Sequence, residues 1–118
     1  MCKQGDIAWV LKTDRHGRNP KTRPFVIVSD TDGLPDDAPL VGVAVSSWVP
    51  HPLPVNQVEL PWHNSRHPVT GLNKPSVAIC DWFETFTRDE IQNICGRAPA
   101  KKMFEIMSHV AAHDDEDE

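Results

Sequence analysis

The chain has 118 residues, with 12 Lys and Arg against 17 Asp and Glu, a formal net charge of −5, 11 prolines, three cysteines and no tyrosine. That length supports a single core and a single domain, and so many prolines argue for short strands joined by stiff loops and against a helical bundle. No apolar stretch approaches the roughly 20 residues of a membrane span, and Lys3, Gln4 and Asp6 break up any signal-peptide core, so a cytoplasmic location is expected.

The first strand is expected over residues 5–11, where an apolar run follows Gly5, and the second over 24–29, where Phe25-Val26-Ile27-Val28-Ser29 follows Pro24. Between them, residues 12–23 carry five bases, Lys12, Arg15, Arg18, Lys21 and Arg23, against the single acid Asp14. Pro24 biases Arg23 toward extended backbone, so this cation is held at the mouth of a strand, where it is well placed to meet a phosphate. Residues 30–39 are dense in turn formers and read as a surface loop. Residues 40–46 form a third strand, apolar enough to be buried on both faces. Trp48 to Pro54 holds three prolines and is excluded from a ladder interior. Residues 56–60 alternate as a half-buried fourth strand does.

Residues 61–75 form a long polar connection without periodicity. His63 and His67 within it have the i, i+4 spacing of a helical metal pair. No glutamate accompanies them, however, and Pro61 and Pro68 bracket a loop, so no metal site is expected. Another buried strand opens at residues 76–80 and extends toward Phe83. Thr87-Arg88-Asp89-Glu90 matches a capping box, which argues for a helix through about Cys95; against it, Ile91 to Gly96 is short and rich in poor helix formers. The final helix is expected at about 99–112. Pro99 suits a first helical position, and Met103, Ile106, Met107 and Val110 recur at core-facing spacing, although Ala98 is a poor cap.

The domain is therefore expected to span 1–113, followed by residues 114–118 as an acidic, disordered tail. Without those five acids the body carries twelve acids and twelve bases. A neutral body with one basic loop can hold a short single strand but not a long duplex, whose affinity grows with the phosphates neutralised. The tail could also fold back on the basic loop. Cys2, Cys80 and Cys95 are odd in number and widely spaced, which excludes a disulfide framework or zinc ribbon. Cys80 and Cys95 read as small buried hydrophobes and Cys2 as an exposed terminal thiol.

The order Gly5-Asp6-Ile7-Ala8-Trp9-Val10, basic loop, Lys21-Thr22-Arg23-Pro24-Phe25-Val26-Ile27-Val28-Ser29 resembles the MazF/PemK family of bacterial toxins. The resemblance extends over about residues 4–110. It implies a mainly β fold with a C-terminal helix, a small SH3-like β-barrel of the MazF/PemK/CcdB type, and favours a brief turn and then a strand over 87–96. It also implies a type II toxin that cuts single-stranded RNA without a metal or other cofactor. Such a toxin forms a homodimer and is neutralised by an acidic antitoxin whose disordered segment covers the cleft.

RNA can be cut in this way because its own 2′-hydroxyl is the nucleophile. The enzyme must help that proton leave, offset charge on the phosphorane oxygens and protonate the leaving 5′-oxygen, giving a 2′,3′-cyclic phosphate. Arg23 matches the arginine of the family's Arg-Pro motif, which is catalytic there, and its planar fork suits two phosphate oxygens. Ser46 stands where the family has a catalytic Thr, and keeps the hydroxyl. Ser47 is the alternative, since a one-residue slip reverses the face. Arg15, Arg18 and Lys21 are expected to gather the strand. Trp48 and Trp82, which stands where the family usually has Gln, are expected to stack on bases or to lie at a subunit interface. The family's loop Glu is missing, as Gly17 is followed by Arg18-Asn19-Pro20, and His16 is the candidate general base. The rival reading is a non-catalytic protein-binding barrel of the same fold, either gyrase-poison-like or a degenerate toxin paralogue. The C-terminal Trp-Gly-Ile of the gyrase poisons is not seen here.

Overall fold

Six strands and one long helix follow one another in the computed structural model, which describes residues 2–14 and 16–116, with side chains described to residue 112. They are β1 (Asp6–Lys12), β2 (Lys21–Ile27), β3 (Leu40–Ser46), β4 (Gln57–Leu60), β5 (Ser76–Phe86), β6 (Ile91–Arg97) and α1 (Ala100–Glu116). The strands form one antiparallel sheet in the order β4-β5-β3-β2-β1-β6. The expected mainly β architecture with a C-terminal helix is the one observed.

The period-2 pattern of the central strands divides the core in two. From β2, Phe25 and Ile27 join Ala8, Val10, Leu40, Ala44 and Phe86 on one face of the sheet. Val26 and Val28 join Ile7, Val43, Val45 and Ala78 on the other, beneath Ile106 and Val110 of α1. The helical stripe thus packs as its spacing predicts, with Met103 and Met107 flanking it. Phe25 and Phe86 meet with ring centroids 5.7 Å apart. Gly42 makes room for them: a Cβ there would lie 3.0 Å from both.

Four expectations need correction. β2 starts at Lys21, three residues early, because β1 runs on to Lys12 and pairs with it, so Arg23 sits inside a strand that is paired on one side. β5 runs to Phe86 because β3 offers partners as far as Leu40. α1 continues to Glu116, past the expected end at about 112; Ala111 and Ala112 propagate the helix, and no Gly or Pro stops it. Asp117, Glu118 and Arg15 lie outside the described residues, and with them any contact of the tail with the basic loop. Finally, Cys2 is buried at 6% exposure, packed with Ala8, Val10 and Phe25.

The capping box at Thr87 closes one 3-10 turn, with Thr87 N–H donating to Glu90 Oε1 at 2.9 Å, and the chain then enters β6. The long connection, although irregular, is packed tightly against β6. Arg97 N–H donates to Val69 O at 2.9 Å, and a Cβ at Gly96 would lie 2.3 Å from that same oxygen. Only glycine permits this approach.

Candidate functional site

The β2–β3 ladder pairs Phe25 with Ala44 and goes no further toward the start of β2, although β2 stays paired with β1 back to Lys21. Pro24, which has no N–H to give, stands where that ladder stops. Carrying the register on by two residues sets Arg23 opposite Ser46, at the open ends of two diverging strands. A cleft of about 740 Å³ lies there, lined by Arg23, Ser46, Ser47, Lys21 and Trp82 among others.

Arg23 is held from behind. Its Nε donates to Lys12 O at 3.1 Å and its Nη2 to Asn19 O at 2.7 Å. Among the described residues these carbonyls are its hydrogen-bond partners and no carboxylate pairs with it. Two of the five N–H donors of a guanidinium are thereby used, and the rest are left for a ligand.

Asn19 is delivered to Arg23 by a compact loop whose hub is Asp14. Oδ1 of Asp14 accepts from the backbone N–H groups of His16 and Arg18, both at 2.9 Å, and Oδ2 accepts from Asn19 Nδ2 at 3.0 Å. These bonds, Arg18's first, hold the Asp14 carboxyl below its ordinary pKa of 3.8. Asn19 completes the turn at φ 53°, in the left-handed region.

Ser46 Oγ accepts from Trp48 N–H at 3.1 Å, a bond that restrains the hydroxyl and leaves its proton available to donate. β3 ends at Ser46, so the alternation of faces lapses and Ser47 lines the cleft beside it. Trp82 arrives by a bulge. Val43 pairs with Phe83 but Ala44 with Ile79, so Cys80, Asp81 and Trp82 swing out of the β3 ladder. The Trp82 indole donates to Glu84 Oε2 at 3.1 Å.

The structure does not bring every candidate here. Arg18 and His16 sit on the exposed outer side of the loop and Trp48 is 73% exposed beyond the strand end, none of them lining the cleft. Conversely, the cleft recruits residues that sequence reasoning passed over. Trp9 is one, and its position between buried Ala8 and Val10 signalled an opposite face. Gln92 and Asn93 come from β6, and Arg66, Asn73 and Lys74 from the long connection. Cys95, expected to be buried, is half-buried and lines the cleft, its thiol donating to Thr70 O at 3.2 Å. Thr22 Oγ1 and Gln92 Oε1, 3.2 Å apart, join β2 to β6 across the floor.

Among the described residues, those lining the cleft include four cations, Lys21, Arg23, Arg66 and Lys74, and no Asp, Glu or His. The arrangement can bind a polyanion and offset charge developing on it; it offers no carboxylate or imidazole as a proton acceptor. His63 and His67 are used structurally, each Nδ1 accepting backbone N–H groups of its own loop. Among the described residues no cluster of three or more His, Cys, Asp or Glu is arranged to hold a metal ion.

Comparison with known proteins agrees with this geometry. The family described as PemK-like, MazF-like toxin of type II toxin–antitoxin system has a model that matches residues 3–113. A search of curated proteins finds no match. Among solved structures, an endoribonuclease in complex with its cognate antitoxin from Mycobacterial species superposes with a TM-score of 0.72 at 16% identity, over 98% of this chain and 96% of that one. A MazE–MazF complex from Deinococcus radiodurans gives 0.71 at 18% identity, over 97% and 96%. The Mycobacterium tuberculosis toxin MazF-mt6 gives 0.68 at 20% identity, over 93% and 96%. At these identities the likeness establishes a MazF-type fold.

Proposed function

The chain belongs to the family of PemK-like, MazF-like toxins of type II toxin–antitoxin systems, and from that premise we propose that it is an endoribonuclease toxin acting on single-stranded RNA. The observation that carries the reading is Arg23: a guanidinium fixed by two backbone carbonyls, free of carboxylates among the described residues, in an acid-free cleft that it shares with Ser46.

In this mechanism the ribose 2′-oxygen forms a bond to the adjacent phosphorus while the bond from phosphorus to the 5′-oxygen breaks, leaving a 2′,3′-cyclic phosphate. The nucleophile belongs to the substrate, so no metal is needed to generate one. Arg23 spans the non-bridging oxygens and stabilises their developing charge, the kind of preorganised contact whose loss costs about 2.7–4 kcal/mol. It also hydrogen-bonds the leaving 5′-oxygen, which takes up a proton that is restored to Arg23 by the water protonated at the 2′-hydroxyl, so the guanidinium ends the cycle charged. Ser46 donates to a phosphate oxygen and fixes the attack angle. The 2′-hydroxyl proton passes to water, because His16 lies off the cleft. The partners are an acidic antitoxin and a second copy of the chain. Support for the antitoxin comes from structural neighbours solved with theirs.

A second reading has its own observation. The same absence of Asp, Glu and His from the described cleft lining suits a degenerate toxin that binds without cutting. Incubating the purified protein with mixed-sequence RNA in EDTA separates the two. Cleavage that leaves cyclic phosphate ends and is lost in Arg23→Ala supports the nuclease. Binding without cleavage supports the non-catalytic barrel, and equal cleavage by the variant defeats the Arg23-based nuclease.

A further inference from the structure

Residues 61–75, between β4 and β5, look from composition like a slack polar loop. Their contacts are those of a fixed wall. Thr70 has no exposed surface; its hydroxyl donates to Pro61 O at 2.8 Å and accepts from Leu72 N–H at 3.1 Å. His67 Nδ1 accepts the N–H groups of Val69 and Thr70, at 3.1 and 3.3 Å. Gly71, at φ +71°, lies so close to β6 that a Cβ would fall 2.1 Å from Cys95 O. The wall is thus stapled internally and seated on the sheet.

Two cations project from it. Arg66 and Lys74 line the same cleft as Lys21 and Arg23 of β2. Both are exposed, and among the described residues neither side chain has a hydrogen-bond or ion-pair partner. Arg66 holds its place by a left-handed backbone, φ 75°, with its N–H donating to His63 O at 2.8 Å.

One phosphate at Arg23 accounts for one side of the cleft and leaves this one unused. Two pairs of cations from distant segments, with no acid among the described lining residues, suit a chain with a negative charge at each repeat. The amides Gln92 and Asn93 and the indole of Trp82 lie in the same cleft, as groups that stack on or bond to bases do. An acidic peptide would use the charges but not these.

We propose that the 61–75 wall is a second phosphate-binding site, in which Arg66 and Lys74 hold a backbone phosphate neighbouring the one at Arg23. The ligand, single-stranded RNA, rests on the function proposed above. The wall binds and does not take part in bond breaking, so its residues govern affinity and KM while Arg23 governs kcat.

The test uses a short, mixed-sequence 2′-O-methyl oligoribonucleotide, which lacks the nucleophile and reports binding whether or not the protein cuts RNA. Fluorescence anisotropy across a salt series gives the slope of log K against log salt. For single strands each lost phosphate contact reduces that slope by about 0.7, so Arg66→Gln/Lys74→Gln, which empties one phosphate site, should flatten it by about 0.7 and weaken binding most at low salt. Lys3→Gln/Lys101→Gln, which removes as much charge away from the cleft, should leave it near the wild-type value. Because Arg66 and Lys74 are exposed, the double variant should keep the wild-type melting curve, checked by circular dichroism. If it does not, the single substitutions, each expected to flatten the slope by part of that ~0.7, decide the matter.

A slope equal to wild type overturns the second site. So does equal flattening by the control variant, or a loss confined to a polyglutamate probe, which would assign the wall to a protein partner. A flattened slope in a protein that never cleaves RNA supports the wall and defeats the nuclease. Cleavage with an unchanged slope does the reverse.

Discussion

Replacing Arg23 by Lys separates the charge of this side chain from its geometry. The guanidinium is tethered at Nε and Nη2 to the carbonyls of Lys12 and Asn19, at 3.1 and 2.7 Å, so its remaining donors are presented as an oriented plane. An ammonium keeps the charge on a single nitrogen. If it bonds either carbonyl it is drawn back from the cleft, and if it reaches the phosphate it abandons both. At about 4 Å, a unit charge alone contributes about 1–4 kcal/mol between bulk-water and near-surface dielectric. A preorganised donor is worth about 2.7–4 kcal/mol in the transition state, on the order of 10²–10³ in kcat. Arg23→Ala should therefore lower kcat by on the order of 10²–10³, and Arg23→Lys, which keeps the charge but loses the oriented donors, should recover only part of that loss. The assay is single-turnover cleavage in EDTA of a fluorogenic oligonucleotide containing one ribonucleotide, with thermal melts confirming that both variants are folded. A lysine variant within about threefold of wild type, less than 1 kcal/mol, would show that charge suffices and that the two tethers are incidental.

Other consequences are open to direct measurement. Thr70→Val keeps the shape of a buried side chain but strips the partner from Pro61 O and Leu72 N–H. It should cost about 1–3 kcal/mol in urea unfolding while Thr70→Ser keeps both bonds, and a valine loss under about 0.5 kcal/mol would contradict the stapled wall. Burial pushes the Cys80 thiol from 9.0 up to about 11, so iodoacetamide should label cleft-lining Cys95 first and Cys80 only on unfolding; early labelling of Cys80 would contradict its burial. Because the unfolded chain ionises that thiol before the folded one does, stability should decline as pH rises from 9.0 toward about 11. The Asp14 carboxyl, with a folded pKa below 3.8, orders its loop at all higher pH and releases it only as pH falls through that depressed value. The amide NMR shifts of His16 and Arg18 should titrate with a midpoint under 3.8, and a midpoint at or above it would remove Asp14 as the hub.

The sheet was legible because its signals are local. Alternation in β2 and β3 sorts Phe25, Ile27 and Ala44 from Val26, Val43 and Val45 without knowledge of any partner strand. Arg23 was singled out by Pro24 together with its match to the family's Arg-Pro motif, and Ser46 by standing where the family has Thr at the end of an apolar run. Arg66, Lys74 and Gln92 were not, because their place in the cleft depends on contacts between distant segments. Gly71 and Gly96, which let residues 67–72 lie against β6, give no sign in sequence of which backbone they admit. His16 stays outside the cleft lining for the same reason. Its proximity to Arg23 in the chain said nothing about its side of the loop, which Asp14 decides by binding its N–H and that of Arg18.

Charge and proton transfer make opposite demands on this cleft. A carboxylate near Arg23 would supply a base, but it would also pair with the guanidinium and repel each incoming phosphate, by about 1–4 kcal/mol per charge at 4 Å. The loop resolves the conflict in favour of binding. Arg18-Asn19-Pro20 brings a carbonyl to Arg23 at the point where an acid would compete with substrate, and the loop's described acid, Asp14, is consumed by the turn. Under the proposed function, this favours phosphate binding and leaves the 2′-proton to solvent. If the proposed nuclease reading holds, loss of the loop Glu expected from the resemblance would not by itself abolish cleavage; it would move the limiting step to deprotonation, which Arg23 and Ser46 would ease only by stabilising the phosphorane that forms as the 2′-oxygen attacks.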